Sequence, residues 1–325
     1  MFLEKEGKLI YSYDGETVCI EAWGKDALRV RATKNRSFTG RDWALEAKDA
    51  HAGEVEIFED PSAKGGAFAN MYEGTDTSYG KITNGKLHAV INSGSVITFY
   101  HEDGRVLLKE HFRRLRDEES MPLNIMGREY SNGVGDNFRI VARFVARKGE
   151  KIFGMGQYQQ HELDLKGCML ELAQRNSQVS VPFYLSSIGY GFLWNNPGVG
   201  QVMFANNGTE WVTESGKEID YLVIAGDTPA EIEENYMTLT GKPPMMPEYG
   251  MGFWQCKLRY WNQEQLLSVA RKYKELGVPL DVIVVDFFHW TKQGEFKFDP
   301  KYWPDVPGMC RELKEMGIQV VVSVW

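Results

Sequence analysis

The stretch Lys272-Tyr273-Lys274-Glu275-Leu276-Gly277, continued by Leu280-Asp281-Val282-Ile283-Val284-Val285-Asp286, returns one unit later as Glu312-Leu313-Lys314-Glu315-Met316-Gly317 followed by Ile318-Gln319-Val320-Val321-Val322-Ser323-Val324-Trp325. In each copy a helical pattern runs into a glycine, which can take the left-handed conformation that ends a helix, and a β-branched apolar run follows. Helix, turn and uninterrupted Val/Ile strand, repeated, mark successive β/α units of a parallel sheet, whose strands are covered on both faces and need no polar alternation. Such sheets carry their chemistry at the carboxyl ends of the strands. Those ends read Phe253-Trp254-Gln255, Asp286-Phe287-Phe288-His289-Trp290 and Ser323-Val324-Trp325. Aromatic rings around a single carboxylate are the composition of a sugar-binding pocket.

The 325 residues are long enough for about two domains, and 43% hydrophobic residues is ample for packed cores. A formal charge of −8 with no basic run argues against a nucleic-acid or anionic-membrane partner, because both need clustered Lys and Arg. Met1-Phe2-Leu3-Glu4-Lys5-Glu6-Gly7-Lys8 lacks the apolar core of a signal peptide, and no segment approaches the ~20 apolar residues of a membrane span, so the sequence reads as cytoplasmic. Cys19, Cys168, Cys256 and Cys310 are scattered without CxxC spacing, which fits reduced structural thiols rather than a disulfide frame or a zinc site. The histidines are equally dispersed. His161-Glu162 opens like a zincin motif, but no second histidine follows at the required spacing. No metal and no cofactor are expected.

Up to about residue 226 the pattern is strand, turn, strand. Residues 9–13, 17–23, 27–33, 87–92, 95–101, 138–146, 179–185, 191–195 and 218–224 are β-rich, and turn signals such as Asp14-Gly15, Asn84-Gly85, Asp103-Gly104 and Asn132-Gly133 separate them. Many short strands with almost no helical periodicity predict an antiparallel sandwich over 1–227. Thr228-Pro229-Ala230-Glu231 then has the form of a helix start, with Thr as cap, Pro in the first turn and Glu placed to close a capping box. That helix would run to about Leu239, and Pro243-Pro244 with Pro247 completes a stiff connector over 228–247.

From Tyr249 the expected order is a strand to Gln255, a helix over 262–276, a strand to Asp286, a helix from about Pro307 to Met316 and a strand to Trp325. Asn262 and Gln265 have capping-box spacing, and Leu266, Ala270, Tyr273 and Leu276 would face the sheet. A (β/α)8 barrel takes about 250 residues, so 248–325 amounts to its first third. The final apolar run has no helix after it and would leave an exposed edge, which implies the front of a longer protein. A small three-stranded open sheet packed on the sandwich is the alternative.

With these residues in hand, the chain resembles glycoside hydrolase family 31, the α-glucosidase and α-xylosidase family, over nearly its whole length. Three places carry the likeness. Phe153-Gly154-Met155-Gly156-Gln157, Val181-Pro182-Phe183-Tyr184-Leu185-Ser186 and Gly189 to Asn196 resemble the family's N-terminal sandwich. Tyr236-Met237-Thr238-Leu239-Thr240-Gly241-Lys242-Pro243-Pro244 with Gly252-Phe253-Trp254-Gln255 is similar to its entry into the barrel. Val284-Val285-Asp286, Phe298-Asp299-Pro300 and Trp303-Pro304-Asp305 look like its second strand and loop. The resemblance implies a retaining mechanism on α-linked sugars at the nonreducing end, with one carboxylate as nucleophile and a second as acid/base. In the family both are aspartates on later barrel strands, so no catalytic residue is named in this chain, and residues 1–325 alone are expected to hydrolyse nothing.

The resemblance further implies that Asp286 holds the nonreducing-end sugar; the bland reading is a capping or ion-paired aspartate. Phe287 and Trp325 are the foremost candidates to stack on a pyranose, ahead of Trp254 and Trp290, with packing as the alternative for each. Gln255 and Lys257 follow the first strand closely enough to reach a ligand, and His289 reads as structural. Some family members send an aspartate into the pocket from the loop that here reads Gln174-Arg175-Asn176, so Asn176 would keep hydrogen-bonding capacity without the charge. The wordings Gly252-Phe253-Trp254-Gln255-Cys256-Lys257-Leu258-Arg259-Tyr260 and Asp286-Phe287-Phe288-His289-Trp290 look closer to the α-xylosidase branch than to α-glucosidases, whose second strand typically reads Asp-Ile-Asp-Tyr, and bulky Phe287 suits a sugar without a hydroxymethyl arm. A noncatalytic carbohydrate-binding or scaffold protein is the alternative from another class, and a transglycosylase on the same fold is not distinguished. The expected partner is an α-xyloside or α-glucoside oligosaccharide, and homo-oligomerisation is left open.

Overall fold

The computed structural model describes residues 1–61, 77–111, 113–115 and 123–325. It divides into two compact units, Met1–Lys242 and Pro243–Trp325.

In the first unit, the strands Phe2–Lys5, Lys8–Tyr13, Glu16–Trp23, Ala27–Thr33, Ile219–Ala225, Tyr190–Trp194, Val179–Ser186 and Ile152–Gln157 lie side by side in that order, every neighbour antiparallel. A five-stranded sheet runs Arg128–Asn132, Phe138–Phe144, Thr209–Gly216, Gly200–Phe204, Met169–Leu172, and another runs Val106–Lys109, Ile97–His101, Leu87–Asn92, Tyr79–Asn84, Glu54–Phe58. Rings from the three sheets meet in one core: Tyr221 packs edge-on to Phe99 and Phe144 at 6.2 and 5.4 Å, while Phe192 stacks on Trp211 at 5.1 Å. This is the expected antiparallel sandwich. Leu87–Asn92 alternates buried and half-buried residues, as a strand with one dry face must. Ile219–Ala225 is buried at every position. The cause is helix α1, Pro229–Thr240, whose Ile232 and Leu239 cover Leu193, Leu222 and Ile224 on the outer face. Burying each such side chain contributes about 1.5–3 kcal/mol.

Helix α1 starts as its sequence dictates. Thr228 Oγ1 accepts from Glu231 N at 3.2 Å, and the Glu231 carboxylate reaches back to Asp227 N at 3.0 Å, one residue ahead of the cap.

In the second unit, Trp254–Gln255, Val282–Val285 and Gln319–Val322 form a parallel sheet with Trp254 opposite Val282 and Val282 opposite Gln319. Helix α2 spans Gln263–Glu275 and helix α3 spans Val306–Glu315. Leu266, Ala270, Met309 and Leu313 from the helices bury against Ile283, Val285 and Ile318. Both helices end on the same motif: Gly277 and Gly317 take φ of +65° and +74°, and the residue after each returns its N–H to the last turn, Val278 to Tyr273 O at 3.0 Å and Ile318 to Leu313 O at 2.8 Å. The repeated grammar of the sequence is therefore a repeated helix end feeding a parallel strand.

Three expectations are corrected here. The strand expected over 249–255 shrinks to Trp254–Gln255, because Glu248–Met251 winds into a 3-10 turn and the Asp281 carboxylate takes the Phe253 N–H at 2.9 Å. Gly252 permits that approach, since a Cβ there would lie 2.2 Å from the Asp281 carboxyl. Leu276 does not face the sheet; as the C-cap of α2 it is 63% exposed. Helix α3 begins earlier than Pro307, capped by Asp305, whose Oδ1 accepts from Gly308 N at 2.9 Å.

Candidate functional site

The parallel strand Val282–Val285 delivers Asp286 one residue past its last ladder position, and the next strand extends through Ser323, whose N–H still bonds Val285 O at 2.9 Å, toward Trp325. The two strand ends converge on the carboxylate. Phe287 N donates to Asp286 Oδ1 at 2.9 Å, and the Trp325 indole Nε1 approaches the same oxygen at 3.4 Å. Among the described residues Asp286 Oδ2 receives only the Cys256 thiol, at 3.7 Å. No Lys or Arg pairs with this half-buried carboxylate among the described residues. Oδ2 in particular retains acceptor capacity for an incoming hydroxyl.

Aromatic walls stand around it. Phe287 meets Trp325 edge-on at 4.4 Å and Phe288 at 4.6 Å, with Trp290 at 5.9 Å. Trp325 and Phe288 are 52% and 56% exposed, whereas Trp290 is almost fully buried. Phe288 sits at φ +63°, a conformation costly for a bulky residue, and the Arg259 guanidinium bridges it to Trp261, 4.9 Å from one ring and 3.4 Å from the other. Burial, and then the Asp286 charge, raise the Cys256 thiol pKa and keep its proton on.

The remaining expected residues are placed differently. Gln255 turns away from the cluster and accepts from Tyr273 OH of α2 at 2.9 Å, so alternation along the strand points Trp254 to the opposite face. Lys257 is exposed. His289 is buried, its Nδ1 3.2 Å from Asp286 O and its ring against Trp290 and Phe298, which is the structural reading. Asn176 belongs to the sandwich unit, at the exposed tip of a two-residue turn closed by the Arg175–Gln178 bridge and braced by the Gln174 amide on Ser180 N and O. Cys256 and Arg259, which the sequence offered only as part of the stretch Gly252 to Tyr260, also stand at this cluster. Among the described residues no group of three or more His, Cys, Asp or Glu is placed to hold a metal ion, and no helix is long and apolar enough to cross a membrane.

Residues 17–202 match the glycosyl hydrolase 31 N-terminal galactose mutarotase-like domain, and residues 243–325 match the glycosyl hydrolases family 31 TIM-barrel domain. The chain belongs to glycoside hydrolase family 31. An uncharacterized family 31 glucosidase of Pseudescherichia vulneris is 42% identical over 99% of this chain and 60% of its own length. An alpha-xylosidase of Saccharolobus solfataricus is 36% identical over 58% of this chain and 27% of its own. Among solved structures, a GH31 alpha-xylosidase from a soil metagenome complexed with xylose superposes with a TM-score of 0.86 at 44% identity, covering all of this chain and 47% of that one. This family 31 chain therefore spans about 60% or less of the length of the relatives it matches. Its three parallel strands are the start of the family's barrel, and the Asp286 cluster lies at their carboxyl ends. Its sandwich holds two clefts, of ≈ 650 and ≈ 550 Å³, and neither is lined by a residue expected to contact sugar.

Proposed function

We propose that this chain carries the sugar-holding end of a retaining α-glycoside hydrolase acting on nonreducing-end α-linked sugars, an α-xylosidase ahead of an α-glucosidase. The observation that carries the reading is the Asp286 carboxylate, unpaired by any cation among the described residues and flanked by Phe287 and Trp325 at adjacent parallel strand ends. Asp286 accepts sugar hydroxyls, and the exposed indole of Trp325 packs on the apolar face of the ring. Phe287 fills the space that a hydroxymethyl arm would need, which favours a pentose. The likeness to an alpha-xylosidase complexed with xylose supports the same choice. Asn176, Trp254 and Trp290 stand behind these as further candidates, with Gln255 last because its amide is engaged by α2.

Two carboxylates separated for double displacement perform the hydrolysis in a retaining enzyme. Neither role is assigned to a residue in 1–325; both fall to strands that would complete the barrel, with 1–227 and the 228–247 connector as scaffold. Four free thiols fit a reducing compartment, so the cytoplasm is the proposed setting.

The test is steady-state kinetics of the whole gene product on p-nitrophenyl α-xyloside and α-glucoside, with Asp286→Asn alongside. The expected result is a higher kcat/KM for the xyloside and a loss of roughly a hundredfold or more in the variant, as for a group whose contacts are needed in the transition state. Preference for the glucoside refutes the xylosidase assignment. Binding of both sugars without turnover would favour a carbohydrate-binding scaffold.

A further inference from the structure

The segment 34–44, which follows the strand Ala27–Thr33, is bolted to the sandwich by a guanidinium with none of its surface exposed. Arg29 donates to Asp42 Oδ1 at 2.7 Å and to Arg41 O at 2.9 Å while gripping Asp220 with two further bonds. Asn195 reinforces it, donating to Asp42 O at 3.1 Å and accepting from Ala44 N at 3.3 Å. What this anchoring holds up is Trp43, 45% exposed and at φ +54°, a left-handed conformation that a bulky residue adopts only when its surroundings impose it. Nearly half of the indole is thereby left open to solvent at a fixed place on the sandwich.

Trp43 borders both sandwich clefts, and Asn196 and Pro197 border both with it, so the two adjoin at the indole. The second cleft is walled mainly by apolar side chains, and in the first both carboxylates are engaged. Lys217 and Asp136 neutralise each other at 2.7 Å, and Glu218 is spent on the Thr39 N–H and hydroxyl, both at 2.8 Å. Arg36 and Arg41 have no carboxylate partner among the described residues, and the Arg41 guanidinium stands 5.2 Å from the Trp43 ring centre. Asn196 is pinned through its Nδ2 on Asp220 O at 2.8 Å, which leaves its side-chain oxygen as an acceptor. An indole with a guanidinium over one ring face, a second fork-shaped donor in the cleft and a fixed amide acceptor match a pyranose, which has one apolar face and a rim of hydroxyls.

We propose that Trp43 is the platform of a second glycan-binding surface, made wholly of sandwich residues, that takes a neutral oligosaccharide through stacking on the indole and hydrogen bonds to Arg36, Arg41 and Asn196. The ≈ 650 and ≈ 550 Å³ on its two sides give room for more than one sugar unit. The choice of a glycan rests on the glycosidase reading above.

The experiment is isothermal titration of the chain with a neutral xylosylated cello-oligosaccharide, carried out in an Asp286→Ala background so that heat from the strand-end cluster is removed. Measurable binding is expected, weakened roughly tenfold or more by Trp43→Gly and held within a few-fold by Trp43→Phe. Glycine accepts the left-handed backbone without strain, and a melt of Trp43→Gly beside its parent separates lost binding from lost folding. No binding in the Asp286→Ala background, binding undiminished by Trp43→Gly, or binding confined to a uronate-bearing oligosaccharide and abolished by 0.5 M salt would each overturn the proposal. Failure of the glycosidase reading appears elsewhere, as absent turnover by the whole gene product, and leaves this titration readable.

Discussion

Arg29 and Asp220, distant in sequence, form a bidentate pair at 3.0 and 2.7 Å with neither side chain exposed, and this one contact joins the neighbouring strands Ala27–Thr33 and Ile219–Ala225 to the segment that presents Trp43. The pair is closed on all sides: Asn195 Nδ2 supplies Asp220 Oδ2 with a second donor at 2.8 Å, Asp42 takes the other arm of the guanidinium, and the Trp23 ring lies 4.5 Å from it. A buried ion pair gains little net stability over apolar packing, but its halves cannot be separated cheaply, because each leaves an uncompensated charge in a dry place.

Arg29→Met is therefore expected to destabilise the chain by about 3–5 kcal/mol, and Arg29→Met with Asp220→Asn to recover part of that, since the second change removes the stranded charge. Urea denaturation of the three proteins checks both statements. A single-variant loss below about 1 kcal/mol would mean the pair is hydrated in solution.

Two core tryptophans make a sharper comparison. Trp194 and Trp211 stack at 5.5 Å and are both buried, yet Trp194 Nε1 donates to Thr213 Oγ1 at 3.1 Å while Trp211 Nε1 finds no acceptor among the described residues. Replacement by phenylalanine removes similar volume from each. Only at Trp194 does it also orphan a buried hydroxyl, which costs roughly 1–3 kcal/mol more. Trp194→Phe should unfold at lower urea than Trp211→Phe, and the reverse order would show that the Trp211 indole has a partner, such as an ordered water.

What the sequence showed and what it hid divide along one physical line. Thr228, Asn262, Gly277 and Gly317 announce helix ends because a cap or a left-handed glycine is chemistry within a few residues, and each acts there in the structure. The parallel order of the last three strands was legible for the same reason: a continuous Val/Ile run needs cover on both faces. The 3-10 turn at Glu248–Met251 was not, because it depends on Asp281 reaching back to Phe253 N. The direction of the Gln255 amide was hidden similarly, since the Tyr273 hydroxyl decides where it points. The Arg29–Asp220 pair, and with it the posture of Trp43, has no local signature at all. Asp305 was readable and overlooked: it stands three residues before Gly308 with Pro307 in the first turn.

The start of helix α1 gives the chain a measurable acid sensitivity. Lys86 Nζ bonds Asp227 at 2.6 Å and Glu231 at 2.7 Å, and these bonds hold both carboxyls below their ordinary range, with His101 and Arg105 also facing Asp227. A depressed carboxylate contributes stability that is present above its unfolded pKa and is lost as pH falls through the folded one. Lys86→Met should accordingly melt below the parent chain at neutral pH, and the gap should begin to narrow as pH falls into the ordinary carboxylate range near ~4 and close only below it, once the depressed carboxyls of the folded parent are protonated as well. A gap of constant size from pH 7 to pH 3 would assign the effect of Lys86 to packing of its stem.

The Cys256 thiol offers a readout of the strand-end geometry that needs no substrate and no turnover. Its pKa is raised first by burial and then by the Asp286 charge, whose Oδ2 it faces at 3.7 Å. Only the thiolate is alkylated at an appreciable rate, so the pH at which iodoacetamide labelling of Cys256 reaches half its maximum tracks that pKa. In the parent chain this midpoint should lie above the ~8.5 of an ordinary cysteine. Asp286→Asn removes the charge and keeps the burial, so the midpoint should move down without returning fully to the ordinary value. Peptide-resolved mass spectrometry separates Cys256 from Cys310, which is likewise exposed and serves as reference for the reagent. A Cys256 profile unmoved by Asp286→Asn would mean that the thiol and the carboxylate do not face each other in solution. The first and second parallel strands would then not bring their carboxyl ends together as described, and the assignment of Asp286 as the group that grips the sugar would lose its geometric support.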